Sequence, residues 1–349
     1  MIDYLIVGSG LAGISFAEEA LAHQKSILVI DDSSQNSSKI AGGFYNPVIL
    51  KRFSEVWQAK QQLEVMDEFY IKLEKKLDIV FNRKMPILRK FFSTEEQNNW
   101  FAASDKISLE PFLSTKLITT KYDGIDSPHD YGEVLHTGYV DTSKLLEAYH
   151  SYLRSIDSFL EDRFEYDVLE INSNSVQYKN IEAKHVLFAE GFGLASNPFF
   201  SDLPLDGTKG ELFIIKAPNL NLDVIVNTSV FILPLGDDLF KVGATYNWSD
   251  KTDVPTAEGK IELVDRIKEI INCDFEIMDH FAGVRPTVKD RRPLLGTHHT
   301  YKQLHILNGL GTRGVMLGPA MAKDLFNFIE NNEALDPVID IYRFYKKRK

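Results

Sequence analysis

Three glycines and an acid near the start of the chain are spaced as a phosphate-binding turn requires. Gly8-Ser9-Gly10-Leu11-Ala12-Gly13 follows the apolar residues 4–7 and leads into the helix-favouring residues 14–22. In such a turn the first glycine permits the tight bend, the second lets the backbone approach a pyrophosphate, and the third lets the helix pack closely on the strand. Leu11 and Ala12 stand with the glycines in this cradle. The helix N-terminus behind it offers unpaired N–H groups and a partial positive charge. Asp31, eighteen residues past Gly13, closes a second apolar run at 27–30 and can accept from a ribose hydroxyl. A free 2′-hydroxyl suits FAD or NAD rather than NADP, and the fingerprint does not separate those two. Asp32 is one residue further and is expected to face away, though it is kept among the cofactor-binding candidates.

A strand, a glycine turn, a helix and a second strand must position these groups, which predicts a βαβ start to a parallel sheet. After a serine-rich link at 33–38, Ala41-Gly42-Gly43-Phe44 allows main chain to pass close to a bound group, and Pro47 stops any helix there. Helical spacing follows at 54–76 and, more weakly, at 94–103. Residues 138–149 read as a strand end, an Asp or Thr cap and a helix. Alternation at 164–171 and 175–178 and the apolar run 186–189 lead back to the sheet. From Gly210 the pattern changes to short β-rich runs at 211–216, 224–226, 230–233 and 239–244, with Gly236-Asp237-Asp238 as a hairpin turn. Thr256 caps a helix whose apolar face is Leu263, Ile267, Ile270 and Ile271, and a strand is expected at 275–284. A last strand at 304–307 enters Gly309-Leu310-Gly311-Thr312-Arg313-Gly314-Val315, a second glycine-rich junction before a helix to residue 329.

Composition narrows the function. The 349 residues, 44% hydrophobic, suffice for two lobes with their own cores, and the net charge of −11 disfavours binding to a phosphate backbone. The basic run 343–349 is read as a solvated tail. Cys273 stands alone, which excludes an intrachain disulfide and a cysteine metal cluster and suits a reducing cytoplasm. No signal peptide and no membrane-length apolar run is recognised. The nine histidines, His298 and His299 included, are read as loop residues with no metal-ligand spacing.

Taken together, the motifs resemble the D-amino-acid oxidase (DAO) superfamily, glycine- and sarcosine-oxidase-like, and also the oxidase domain of the tRNA wobble-uridine modification enzyme. They are the opening fingerprint with Asp31; Ala41-Gly42-Gly43; Gly138-Tyr139-Val140-Asp141; the run 186–191; Lys209-Gly210-Glu211; Val242-Gly243-Ala244-Thr245; Phe281 to Pro286 with Asp290, Pro293 and Gly296; and Gly309 to Gly314 with Pro319. Residues 50–135 resemble nothing further.

The resemblance implies an α/β fold, with a discontinuous Rossmann-like FAD-binding domain (1–80, 138–205, 295–349) and an α+β substrate domain with an antiparallel sheet (81–137, 206–294). It selects FAD, held non-covalently because Cys273 lies outside the motif of covalent attachment, and adds Val168, Ala189 and Gly191 to the cofactor contacts. A helix N-terminus at Gly311 to Val315 would stabilise charge developing on a reduced flavin. By the same resemblance Arg285 forks onto a substrate carboxylate, with Arg313 a second contact or an ion pair of the C-terminal lobe, and Asp290 orders the loop to Pro293. The implied reaction oxidises the C–N bond of a small amino acid or secondary amine: hydride passes to flavin N5, the imine is hydrolysed, and oxygen or another acceptor takes the electrons, oxygen giving peroxide. No acid or base is required, only alignment. The alternative is oxidation of a carboxymethylaminomethyl-uridine in tRNA. In one departure, the family's Tyr-Ile-x-Pro-Arg is here Phe231-Ile232-Leu233-Pro234-Leu235, removing a hydroxyl and a charge from the expected carboxylate pocket. Tyr246, Tyr45 or Lys51 are the candidates to replace the contact.

Overall fold

In the computed structural model, which describes residues 1–345, the opening motif is a βαβ unit. Strand Ile2–Val7 enters helix Leu11–Ala22, and strand Ile27–Asp31 returns parallel to the first, Tyr4 facing Ile27 and Val7 facing Ile30. Apolar side chains on both faces of these strands are buried, as a sheet covered on both sides demands. Ile181–Phe188 pairs parallel on the other side of Ile2–Val7, and Leu304–Asn308 pairs parallel beyond it. Phe159–Glu161 closes the opposite edge, and the hairpin Leu169–Ile171 and Val176–Tyr178 pairs antiparallel with the start of Ile181–Phe188. One eight-stranded sheet therefore gathers strands far apart in sequence, and the carboxyl ends of its central parallel strands open at one edge.

The second eight-stranded sheet runs Glu276–Val288, Leu205–Lys216, Leu239–Gly243, Phe231–Gly236, Ile225–Asn227, Ile87–Lys90, Tyr131–Val134 and Leu113–Ile118. Its long central pair, Leu205–Lys216 with Glu276–Val288, is antiparallel and sets Gly210 opposite Gly283 and Thr208 opposite Arg285. Ile225–Asn227 pairs parallel with Ile87–Lys90, so the sheet is antiparallel with one parallel join. Within residues 87–134 the weak helical spacing at 94–103 is the helix Thr94–Ser104, and three strands of this sheet, which the sequence did not announce, lie around it. The hairpin turn falls at Gly236-Asp237-Asp238, all three at positive φ.

Local chemistry sets the helix starts. Asp141 accepts from Lys144 N at the start of Thr142–Ser155, and Thr256 Oγ1 accepts from Gly259 N at the start of Ala257–Lys268. The helix expected at 54–76 begins only at Ala59, because Ser54–Glu55 pairs as a short strand with Val48–Ile49 and Gln58 turns into the left-handed region. The alternation at 164–171 is broken likewise: Tyr166–Val168 is a 3-10 turn, and only Leu169–Ile171 is strand. The histidines are not all in loops, since His150 lies in a helix and His185, His280 and His305 in strands. Of the basic tail, residues 346–349 lie outside the described residues. No helix among the described residues is long and apolar enough to cross a membrane.

Candidate active site

A single cavity of about 1640 Å³ runs from the first glycine turn across to the second sheet. That exceeds the roughly 300–1,000 Å³ of a site for one drug-sized ligand and leaves room for a dinucleotide with a substrate. Gly8, Gly10, Leu11, Ala12, Asp31 and Asp32 line one end. Gly8 sits at φ +97, where a Cβ would lie 2.6 Å from Ala189 O; a Cβ on Gly13 would lie 1.9 Å from Gly8 O. Gly13 does not line the cavity: its missing side chain lets the helix seat on the turn. The helix N-terminus has no side-chain cap and no acid in its first turn, so partial positive charge is left for an anion. Asp31 Oδ2 accepts from Ser9 N (2.5 Å) and Oδ1 from Ser33 N (2.6 Å), which fixes the carboxylate at the strand end. Asp32, expected to face away, also borders the cavity.

The two glycine junctions meet in space, since a Cβ on Gly314 would lie 3.0 Å from Leu11 Cδ1. Gly309 (φ +74) and Gly311 (φ +57) turn the chain into helix Gly314–Asn331, whose N-terminus again has neither side-chain cap nor acid. Ala41, Gly42, Gly43, Phe44, Ala189, Gly191, Gly309, Gly311, Thr312, Gly314 and Val315 all line the cavity. These features fit an FAD: a side-chain-free cradle with a free helix end for the pyrophosphate, an acid for the ribose, and a second free helix end beyond the Ala41 to Phe44 loop. Val168 is the exception. It is 39% exposed on its 3-10 turn and lies away from the cavity, where Asp162, Arg163, Phe164 and Tyr166 form the wall.

Arg285 is held on three sides. Its guanidinium lies directly over Gly210, where a Cβ would come within 1.9 Å of Nη2 and 2.2 Å of Cζ. The Tyr246 ring covers it at 4.5 Å, and Nη1 donates to Thr245 O at 3.3 Å. Burial pulls its pKa below the usual guanidinium value, and among the described residues no carboxylate pairs with it. A half-buried, oriented guanidinium without an acid has the geometry to take a carboxylate on both of its forked N–H groups. Arg313 caps the Gly314–Asn331 helix and donates through Nη2 to Arg291 O (3.3 Å). Its pKa is pulled down by burial first, then by Arg292 and Arg291; it makes no ion pair with the C-terminal lobe among the described residues. Asp290 instead pairs with Arg343 (2.9 Å), which also reaches the carbonyls of Arg292 and Pro293, so that acid does order the loop.

The departure at 231–235 divides. Phe231 lines the cavity, its ring 4.9 Å from that of Phe44 and against Gly42, whereas Leu235 is exposed on the hairpin and outside it. The loss at 231 is therefore a hydroxyl within the site, and the loss at 235 is not a pocket charge. Tyr246 and Lys51 line the cavity. Tyr45 does not: it is buried, with its hydroxyl on Asn82 Oδ1 at 3.3 Å. Cys273 packs against Gly124 in the core of the second sheet, away from the cavity. No cluster of metal-ligand type occurs among the described residues.

Two residues of consequence were not singled out from sequence. Gly210 was visible only as the centre of Lys209-Gly210-Glu211. Glu190 lines the cavity near Asp32, accepts from the Tyr166 hydroxyl and from Asn197 Nδ2 (2.7 Å), and is pushed up to about 7, chiefly by burial.

The family model described as DAO, FAD dependent oxidoreductase, matches residues 3–327. Glycine oxidase of Bacillus subtilis (strain 168) is 23% identical over 256 residues, 71% of this chain and 67% of that protein. The tRNA 5-methylaminomethyl-2-thiouridine biosynthesis bifunctional protein of Marinobacter nauticus is 26% identical over 192 residues, 50% of this chain but only 30% of that protein. Among solved structures, glycine oxidase from Geobacillus kaustophilus superposes with a TM-score of 0.77 at 18% identity, covering 96% of both chains. L-amino acid deaminase from Proteus vulgaris gives 0.76 at 14% identity, covering 99% of this chain and 97% of the other. At such identities the structural likeness is one of fold.

Proposed function

The chain belongs to the DAO family of FAD-dependent oxidoreductases, and from that premise we propose that it oxidises the C–N bond of a small amino acid or secondary amine bearing a carboxylate. The observation that carries this reading is Arg285: half-buried, without an acid partner among the described residues, and clamped by Gly210, Tyr246 and Thr245 O inside the cavity that begins at the dinucleotide cradle. In this reading residues 8–13 and Asp31 hold the ADP half of the cofactor, non-covalently, while the Ala41 to Phe44 loop and the Gly309 to Val315 junction frame the ring. Bound FAD supplies a two-electron acceptor. Arg285 fixes the substrate carboxylate so that its Cα–H points at that acceptor, and Phe231 and Phe44 keep water from the reacting face. The substrate amine loses a hydride from Cα as its nitrogen lone pair forms the C=N bond, giving an iminium; water adds to that carbon and the amine leaves, yielding a carbonyl compound and a protonated amine, and oxygen can take the two electrons with two protons as hydrogen peroxide.

The same reading assigns residues 1–80, 138–205 and 295–349 to the cofactor and 81–137 and 206–294 to the substrate, in an enzyme of the cytoplasm. Anaerobic mixing with glycine, sarcosine, D-alanine and D-proline tests it, with loss of the flavin band at about 450 nm as the readout. At least one should bleach the flavin, and Arg285→Ala should raise the KM for it by roughly 10- to 100-fold with FAD still bound. Bleaching by modified tRNA and by none of the amines would overturn the reading.

A further inference from the structure

Beyond the Arg285 clamp, the cavity wall carries positive charge that the chain itself does not neutralise. Lys51, Arg52, Arg291 and Arg313 line the cavity together with Arg285, and none of the five has a carboxylate within ion-pair distance among the described residues. Acids are not scarce in a chain of net charge −11. Of those at the cavity, Glu96 lies 3.6 Å from Arg89, Asp162 lies 3.2 Å from Lys179, Asp31, Asp32 and Glu190 stand at the nucleotide end, and Glu269 makes no ion pair with any of the five among the described residues. Asp290, next to Arg291 in the chain, is taken by Arg343.

Arg313 is half-buried, and its guanidinium reaches the Arg291 carbonyl, so two like charges are held at one turn with Arg292 behind them. Arg292 is turned outward over the Trp57 ring and does not line the cavity, which leaves Arg291 and Arg313 as the pair that does. The Arg313 side chain reaches the 288–291 turn, whereas the Gly314 backbone is what meets Leu11 of the glycine cradle. Like charges crowded at a wall in this way call for an anion from outside the chain.

We propose that Arg291 and Arg313 form a second anion subsite, and that the substrate is a dicarboxylic amine, one carboxylate on Arg285 and the other on this pair. The inference rests on the amine-oxidising reading above and goes further, by fixing the charge of the substrate. A dicarboxylic amine should bind more tightly than its monocarboxylic counterpart, roughly 10- to 100-fold for one added charge-assisted contact.

The test compares iminodiacetate with sarcosine, which differ by one carboxylate, and malonate with acetate, which are not oxidised. Dissociation constants come from the rate of anaerobic flavin bleaching for the amines and from perturbation of the flavin spectrum for the acids. Iminodiacetate and malonate should each bind at least tenfold tighter than their partners, and Arg291→Gln, at an exposed position, should collapse both ratios toward one. Ratios near one in the native enzyme, or ratios untouched by Arg291→Gln, would overturn the subsite even if sarcosine is turned over. If no amine bleaches the flavin while malonate still outbinds acetate in an Arg291-dependent way, the subsite stands and the amine-oxidising reading falls. Bleaching by tRNA bearing a carboxymethylaminomethyl-uridine, with no response to either dicarboxylate, would overturn both.

Discussion

Replacing Gly210 by Ala adds one methyl group at a place that only the Arg285 guanidinium occupies. The three atoms nearest the added Cβ are Nη2, Cζ and Nη1 of Arg285, at 1.9, 2.2 and 2.3 Å. Ordinary contact begins near 3.4 Å, so the guanidinium must retreat by roughly 1.5 Å. That retreat breaks its 3.3 Å bond to Thr245 O and lifts it from the Tyr246 ring. The backbone has no objection: Gly210 lies mid-strand without a positive φ, where a glycine is weaker than alanine by about 0.5–1 kcal/mol. Stability and function should therefore part company. Melting temperature and FAD content should hold, while the substrate loses a charge-assisted contact of about 1.5–3 kcal/mol, a KM increase of roughly 10- to 150-fold. Steady-state kinetics on whichever amine bleaches the flavin, beside a thermal melt, measures both. The decisive comparison is Gly210→Ala with Arg285→Ala in one chain, which should be no worse than Arg285→Ala alone because the glycine acts only through the arginine. A KM unchanged in Gly210→Ala would refute the clamp, and additive losses would show that Gly210 serves the site in another way.

Glu190 gives the pH dependence. Held up at about 7 by burial against an ordinary carboxylate value of 4.5, it keeps in the folded state a proton that the unfolded chain releases. Its contribution to stability therefore falls as pH rises between those values, by about 3 kcal/mol in all. Glu190→Gln should flatten the stability profile from pH 5 to 7.5 and leave the variant the more stable protein at pH 8; denaturant midpoints that keep the native slope would count against this. Lys209 is fully buried, with Nζ on Asp250 Oδ2 (2.5 Å), Thr252 Oγ1 (3.2 Å) and the Val254 carbonyl, and so ties down the loop that carries Tyr246 and Trp248. Lys209→Met should cost about 3–5 kcal/mol in urea unfolding and open residues 246–256 to proteolysis; a fully protease-resistant loop would show that it is held by something else.

What the sequence made legible was whatever is local. The first glycine turn, its helix and its acid are consecutive, so spacing alone exposed them, although only Gly13 is closed off locally, by Gly8 O, while Gly8 meets Ala189 O and Gly10 the Ser38 side chain. The caps at Asp141 and Thr256 were legible for the same reason. The strands within residues 87–134 were not, because all three are short and find partners only in residues 225–227 and in one another, whereas the helix between them followed the spacing at 94–103. Val168, which the family resemblance added, stands outside the cavity wall, partly exposed on the Tyr166–Val168 turn. Gln58 entering the left-handed region, which delays the helix to Ala59, has no signature that a helical period reveals.

The site itself was half legible, and the division is physical. Arg285 could be named from its motif, but its seat is set by the strand opposite. On the Glu276–Val288 strand, Gly283 and Arg285 share one face by two-residue alternation, and that face meets the short helix Ser37–Ile40 that follows the nucleotide-binding βαβ unit: a Cβ on Gly283 would lie 2.7 Å from Ile40 Cδ1, and Asn36 Nδ2 donates to Ala282 O at 3.3 Å. Gly210, facing Gly283 across the pair, keeps the same face flat. A slip of one residue would turn Arg285 to the other side of the sheet and bring Val284 to the cavity. The two glycines thus keep one face clear from two strands: Gly283 lets the helix Ser37–Ile40 approach, and Gly210 leaves room for the guanidinium beside it. That requirement is set by register across more than seventy residues of intervening chain, which no local spacing encodes, and it is why the arginine is found in the sequence while its seat is found only in the fold.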